Sequence, residues 1–127
     1  MGVDRGRWRR PLMCRGEIRA VDLEPVRGSE ADKKRPAVIV SNDGANATAA
    51  RLGHGVVTVV PVTTNIERIH PFQVLLPATR CDLAHDSKAQ AEQIRSVAHD
   101  RIGAVVGRLP ADLLEELDRA LRLHLSL

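Results

Sequence analysis

Aromatic side chains are almost missing from this chain. Among its 127 residues there is one tryptophan, Trp8, one phenylalanine, Phe72, and no tyrosine. The core must therefore be built from valine, leucine, isoleucine and alanine. A protein that stacks successive nucleobases on aromatic platforms would have almost nothing to stack them on. Cysteine is scarce as well. Cys14 and Cys81 belong to no CxxC pair, and no His/Cys spacing suits zinc, so neither a disulfide framework nor a zinc module is expected. The two thiols read as free in a reducing compartment, the cytoplasm. No apolar run approaches the length of a membrane-spanning helix, and the basic start MGVDRGRWRRP is not followed by the apolar stretch of a secretory signal. A glycine-rich phosphate loop, GxSxG, HExxH and the carboxylate triplet of a metal-dependent nuclease are all lacking. The expected complement is no metal and no cofactor.

What is present fits one globular domain. The composition is 43% hydrophobic and 28% charged, too apolar for disorder, and a chain of 127 residues can bury a modest core. Net charge is +3, compatible with a polyanionic partner. Six arginines (Arg5, Arg7, Arg9, Arg10, Arg15 and Arg19) crowd the first nineteen residues against Asp4 and Glu17. Residues 1–12 read as a basic, disordered, solvated extension and 13–127 as the domain, with Met13 an alternative start.

Strand signals fall at 17–23, 37–41, 56–62, 72–76 and 102–109, each apolar or alternating and bounded by Gly, Pro or polar clusters. Residues 25–35, 63–71 and 78–87 read as connections. Asp43 is placed to cap a short alanine-rich helix over 44–51, ended by Gly53. Residues 88–98 are ambiguous: propensity favours helix, while QIRSV alternates like a strand. After Pro110, the leucines at 113, 117, 121 and 125 recur every fourth residue and predict an amphipathic C-terminal helix. The sum is a mostly antiparallel β-unit of five to seven strands with one packed terminal helix. Its sheet edges and apolar helix face invite dimerisation.

Several groups suited to a phosphodiester stand near strand ends. Arg35 is set directly before a strand by Pro36, Thr63 and Thr64 follow the VVTVVPV strand, Gly28-Ser29 lies in the loop before Arg35, and Gln93 lies within EQIRS. A guanidinium fork, hydroxyls and loop N–H groups can hold a phosphate. The five histidines are scattered and read as ordinary surface residues.

Taken together, RGEI at 15–18, VDLEP at 21–25, RGSE at 27–30, KRPAVIVSND at 34–43, VVPVTTN at 59–65, EQIRSV at 92–97 and RIG at 101–103 resemble the MazF/PemK family of toxin endoribonucleases. The order and spacing match across 15–127. The resemblance favours a strand for 90–97. It implies a compact SH3-like β-barrel of the MazF/Kid/CcdB type with a C-terminal helix, forming a homodimer. The implied activity is sequence-specific, metal-independent cleavage of single-stranded RNA by attack of the 2′-OH, by the toxin of a pair whose cognate antitoxin silences it. Carried onto this chain, the catalytic pair is Arg35 and Thr63, with Glu92 as a candidate base. Gly28, Ser29, Lys34, Thr64, Asn65 and Gln93 are implied RNA contacts. The chain departs from the family at Ala98-His99-Asp100-Arg101, where an acidic residue and a basic one usually follow EQIR. The alternative is a non-enzymatic, CcdB-like toxin that binds gyrase, since one fold can carry either function.

Overall fold

β-Branched residues dominate 56–63, and this segment becomes the strand around which the sheet is laid out. The computed structural model describes residues 13–23 and 34–127, so the expected N-terminal extension and the Gly28-Ser29 loop lie outside the described residues. The strands are β1 (Glu17–Asp22), β2 (Lys34–Ile39), β3 (Val56–Thr63), β4 (Gln73–Leu76), β5 (Ser87–Gln90), β6 (Arg95–Ala98) and β7 (Ile102–Arg108). The helices are α1 (Asp43–Leu52), the single turn α2 (Ala78–Cys81) and α3 (Ala111–Leu125). Strand pairing is antiparallel throughout the described residues. The path runs β4-β5-β3-β2-β1-β7, with β6 added to β3. This is the mostly antiparallel sheet with a terminal helix that the sequence suggests. The path is open, ending at β4 and β7, rather than a closed ring.

Residues 90–97, expected as one strand, are divided. β5 pairs with the end of β3 (Val62↔Ala89, Thr63↔Lys88) and β6 with its start (Val59↔Arg95 to Val56↔Ala98). The two ladders lie along one edge of β3 but differ in register by three residues. The 3₁₀ turn Ala91–Gln93 takes up that difference. Pro61 falls in the stretch of β3 between the two ladders, where β5 has ended and β6 has not begun. A proline is tolerated inside a strand where no neighbour needs its missing N–H.

α1 is capped by Asn42 rather than by Asp43. The Asn42 backbone is extended (φ −68°, ψ 157°) and its side-chain oxygen accepts from Ala45 N at 2.7 Å. Asp43 is already helical, and its carboxylate accepts instead from the backbone N–H of Arg15 at 2.7 Å. Gly53 closes the helix in the left-handed region (φ 74°), where the missing Cβ removes the steric cost.

The sheet buries both faces. On one, Ile18, Val38, Val60, Val62, Val74, Leu76 and Ala89 pack under Leu113, Leu117, Ala120 and Leu121 of α3. On the other, Val21, Ala37, Ile39, Val57, Val59 and Val97 pack with Met13 and with Ala49 of α1. The leucine stripe of α3 outlasts its core: Leu123, Leu125 and the terminal Leu127 are exposed.

Cys81 is fully buried in the α3-side core, and burial pushes its thiol above the usual range. At neutral pH the native protein is expected to leave Cys81 unmodified by iodoacetamide and to alkylate it once unfolded in urea. Peptide mass mapping reads the result, and rapid alkylation of Cys81 in the native state would contradict the packing.

Candidate functional site

The register of the central strands decides which distant residues meet. β2 pairs with β3 through Ile39↔Val59, Val38↔Val60 and Ala37↔Pro61. Continued two residues outward, that register sets Arg35 across from Thr63. Val21 of β1 lies opposite Arg35, Lys88 of β5 opposite Thr63, and Leu75 of β4 opposite Lys88. Directly opposed residues share a face. Val21 with Arg35, and Thr63 with Lys88 and Leu75, are therefore two paired runs on the face that carries α1, and extending the β2–β3 register beyond its last pair, Ala37↔Pro61, lines them up as one row. The register thus brings Arg35 and Thr63, which are far apart in sequence, to the same end of the adjacent strands β2 and β3.

Their environments differ usefully. Arg35 is exposed and has no hydrogen-bond or ion-pair partner among the described residues, so its five donors are available. Thr63 is half-buried, and its hydroxyl oxygen accepts from Asn65 N at 3.2 Å. That contact occupies a lone pair and leaves the hydroxyl proton free to be donated. Asn65 in turn accepts from Glu67 N at 3.3 Å, so Asn65 acts in the turn that leaves β3.

Glu92 stands at the 3₁₀ turn. Its Oε2 accepts from Gln73 Nε2 at 2.8 Å, and its Oε1 is buried without a partner among the described residues. Gln73 lies opposite Gln90, two residues from the Leu75↔Lys88 pair and on the same face, so Glu92 joins the edge of the row's face through Gln73. Gln93 is exposed at the end of the same turn. Lys34 and Thr64 are set apart. Adjacent residues of a strand point to opposite faces, and these two line an open pocket with Ala20, Pro36, Leu83 and His85. Gly28 and Ser29 lie outside the described residues.

Two residues of this face escaped the sequence reading, Lys88 and Gln73. Both are buried, each about 8% exposed. Lys88 sits in the segment whose helix and strand signals conflict. Its alternation with Gln90 across Ala89 is the one local hint that both polar side chains share a face. The chemistry gathered here is an unpaired guanidinium, a hydroxyl donor, a buried ammonium and a carboxylate. That set can stabilise charge on a phosphodiester. No cluster of three His, Cys, Asp or Glu residues forms among the described residues.

Comparison with known proteins identifies the family of the chain. Residues 14–125 match the family described as the PemK-like, MazF-like toxin of type II toxin–antitoxin systems. The chain is 63% identical over 116 residues to endoribonuclease MazF9 of Mycobacterium tuberculosis, covering 91% of this chain and 98% of that protein. It is 30% identical to endoribonuclease EndoA of Bacillus subtilis, over 91% of this chain and 97% of that one. Among solved structures, MazF of Deinococcus radiodurans superposes with a TM-score of 0.69 at 27% identity, covering 91% and 97% of the two chains. With sequence match and fold in accord along nearly the whole described length, the chain belongs to the PemK-like, MazF-like toxins of type II toxin–antitoxin systems.

Proposed function

We propose that this protein is the toxin of a toxin–antitoxin pair and acts as a sequence-specific endoribonuclease on single-stranded RNA. The observation that carries the reading is the placement of Arg35 and Thr63 at the same end of the adjacent strands β2 and β3, in a chain 63% identical to a named endoribonuclease. The naming of its relatives as endoribonucleases favours RNA cleavage over gyrase binding. The same kinship supports a homodimer, and a solved relative in complex with its cognate antitoxin supports a partner of that kind for this chain. The cytoplasm, where both RNA and antitoxin are made, is the proposed location. No helix among the described residues is long and apolar enough to cross a membrane.

RNA carries its own nucleophile. The 2′-OH stands beside the adjacent phosphorus, so the protein needs to orient it, stabilise a phosphorane-like charge and move two protons. Attack forms the bond from O2′ to phosphorus and breaks the bond to the 5′-oxygen, leaving a 2′,3′-cyclic phosphate and a 5′-OH. Arg35 supplies a two-pronged donor to the non-bridging oxygens, and the Thr63 hydroxyl adds a third. A guanidinium gives up its proton too reluctantly to act readily as a base, so charge stabilisation is its first role. The proposed base that takes the O2′ proton is Glu92, whose Oε1 has no partner among the described residues, or else water, and water supplies the proton that the departing 5′-oxygen gains. Asn65 and Gln93 are proposed to contact the RNA near this row, and Gly28 and Ser29 are proposed RNA contacts as well. Lys34 and Thr64 are proposed to contact RNA that passes around the ends of β2 and β3.

Purified protein incubated with mixed-sequence RNA in EDTA is expected to give discrete fragments bearing 5′-OH ends. A 2′-deoxy substitution on the 5′ side of the scissile phosphate should abolish the cut. RNA that stays intact under these conditions would remove the proposal.

A further inference from the structure

We propose that Lys88 is a positioning residue that sets which RNA sequences are cut, by anchoring the connection between β3 and β4. This rests on the reading of Arg35 and Thr63 as the cleavage pair.

Lys88 is the direct cross-strand neighbour of Thr63 and is buried. A lysine can lay its aliphatic stem along apolar surface and deliver its ammonium to a polar edge. Here Nζ donates to the backbone carbonyl of Arg68 at 2.6 Å. A hydrogen bond with a charged donor is roughly twice as strong as a neutral one. No carboxylate pairs with Lys88 among the described residues, so its positive charge is not cancelled.

The connection it grips leaves directly from Thr63. Its first turn is tied by Asn65 N on the Thr63 hydroxyl and Glu67 N on Asn65. Its middle is tied by Lys88, and its end by His70 N donating to Gln73 Oε1 at 3.0 Å. Gln73 is buried too and is itself held by Glu92. Two buried polar side chains, on the same face as Thr63, thus fix the path of residues 64–71 relative to the proposed scissile phosphate. Burying polar side chains costs stability even when they are bonded, so two of them directed at one surface connection point to a requirement for its placement. The side chains this connection presents, Glu67, Arg68 and Ile69, are exposed. They are suited to read nucleotides beside the cut by hydrogen bonding and arginine stacking.

The test compares wild type with Lys88→Met, Lys88→Arg and Gln73→Met in the full chain. A mixed-sequence RNA pool is cleaved and the 5′-OH ends are sequenced to rank the cut sites. kcat and KM are measured on one preferred oligonucleotide, and circular dichroism melts confirm folding. Methionine keeps the stem of Lys88 and removes its donor. Lys88→Met is expected to lower kcat/KM at the preferred site about tenfold or more relative to other sites, as the connection shifts. Lys88→Arg, which keeps a charged donor, should retain the wild-type ranking. A uniform loss at all sites with the ranking unchanged would assign Lys88 a merely structural role and overturn the inference, as would a ranking and rate equal to wild type. If Lys88→Met fails to fold, Gln73→Met releases the other end of the same connection and decides by the same criterion. Failure of the cleavage pair itself shows separately, as wild-type rates from Arg35→Ala.

Discussion

Arg35→Ala is expected to slow RNA cleavage about 10²–10³-fold, the cost of removing one preorganised donor from a charge-stabilising site. The side chain is exposed and unpartnered among the described residues, so its loss should leave the fold as it was. Circular dichroism melts should superimpose on those of wild type while the single-turnover rate on a preferred oligonucleotide collapses. Affinity for an uncleavable 2′-deoxy oligonucleotide should fall far less than the rate, because the guanidinium is needed most when charge develops on the non-bridging oxygens. Arg35→Lys should also be poor. A lysine presents a point charge where the phosphate calls for a planar fork. Cleavage by Arg35→Ala within a few-fold of wild type would remove the arginine from the mechanism.

Leu117→Ala is the substitution expected to cost most in stability. Leu117 is fully buried at the centre of the α3 stripe and packs in the cluster that includes Val38, Val60, Val62 and Leu76. Emptying such a position costs about 2–5 kcal/mol, the transfer of the lost methyl and methylene groups plus the cavity left behind. A domain of this size has roughly 5–15 kcal/mol in all, so the variant should unfold at a much lower urea concentration. Leu123→Ala provides the internal contrast. Leu123 lies on the same helix but is 57% exposed, and surface changes of this kind stay within about 0.5 kcal/mol. Equal urea midpoints for Leu117→Ala and Leu123→Ala would mean that α3 does not seal the sheet.

How much of this was legible beforehand differs from element to element. The spacing of Leu113, Leu117 and Leu121 announces both a helix and its buried face, because a 3.6-residue period repeats locally. The run VVTVVPV likewise declares a strand. The division of 88–98 into β5, a 3₁₀ turn and β6 is not visible, since alternation survives on both sides of Ala91–Gln93 and only the register against β3 reveals the offset. The helix cap moved from Asp43 to Asn42 because either side chain can cap, and tertiary contact with Arg15 takes the aspartate. The proximity of Arg35 and Thr63 came from the family resemblance, not from composition or period. Lys88 and Gln73 were missed because their partners, the Arg68 carbonyl and the His70 N–H, are backbone atoms that carry no signature in the sequence.

Those last two contacts have an evolutionary consequence. The grips of Lys88 and Gln73 close on main-chain atoms, a carbonyl that every residue type supplies and an N–H that every type but proline supplies. Substitutions at 67, 68 and 69 can therefore accumulate without unmooring the segment. A lineage of such proteins could diversify its targets by altering three outward-facing letters while the scaffold stayed unchanged.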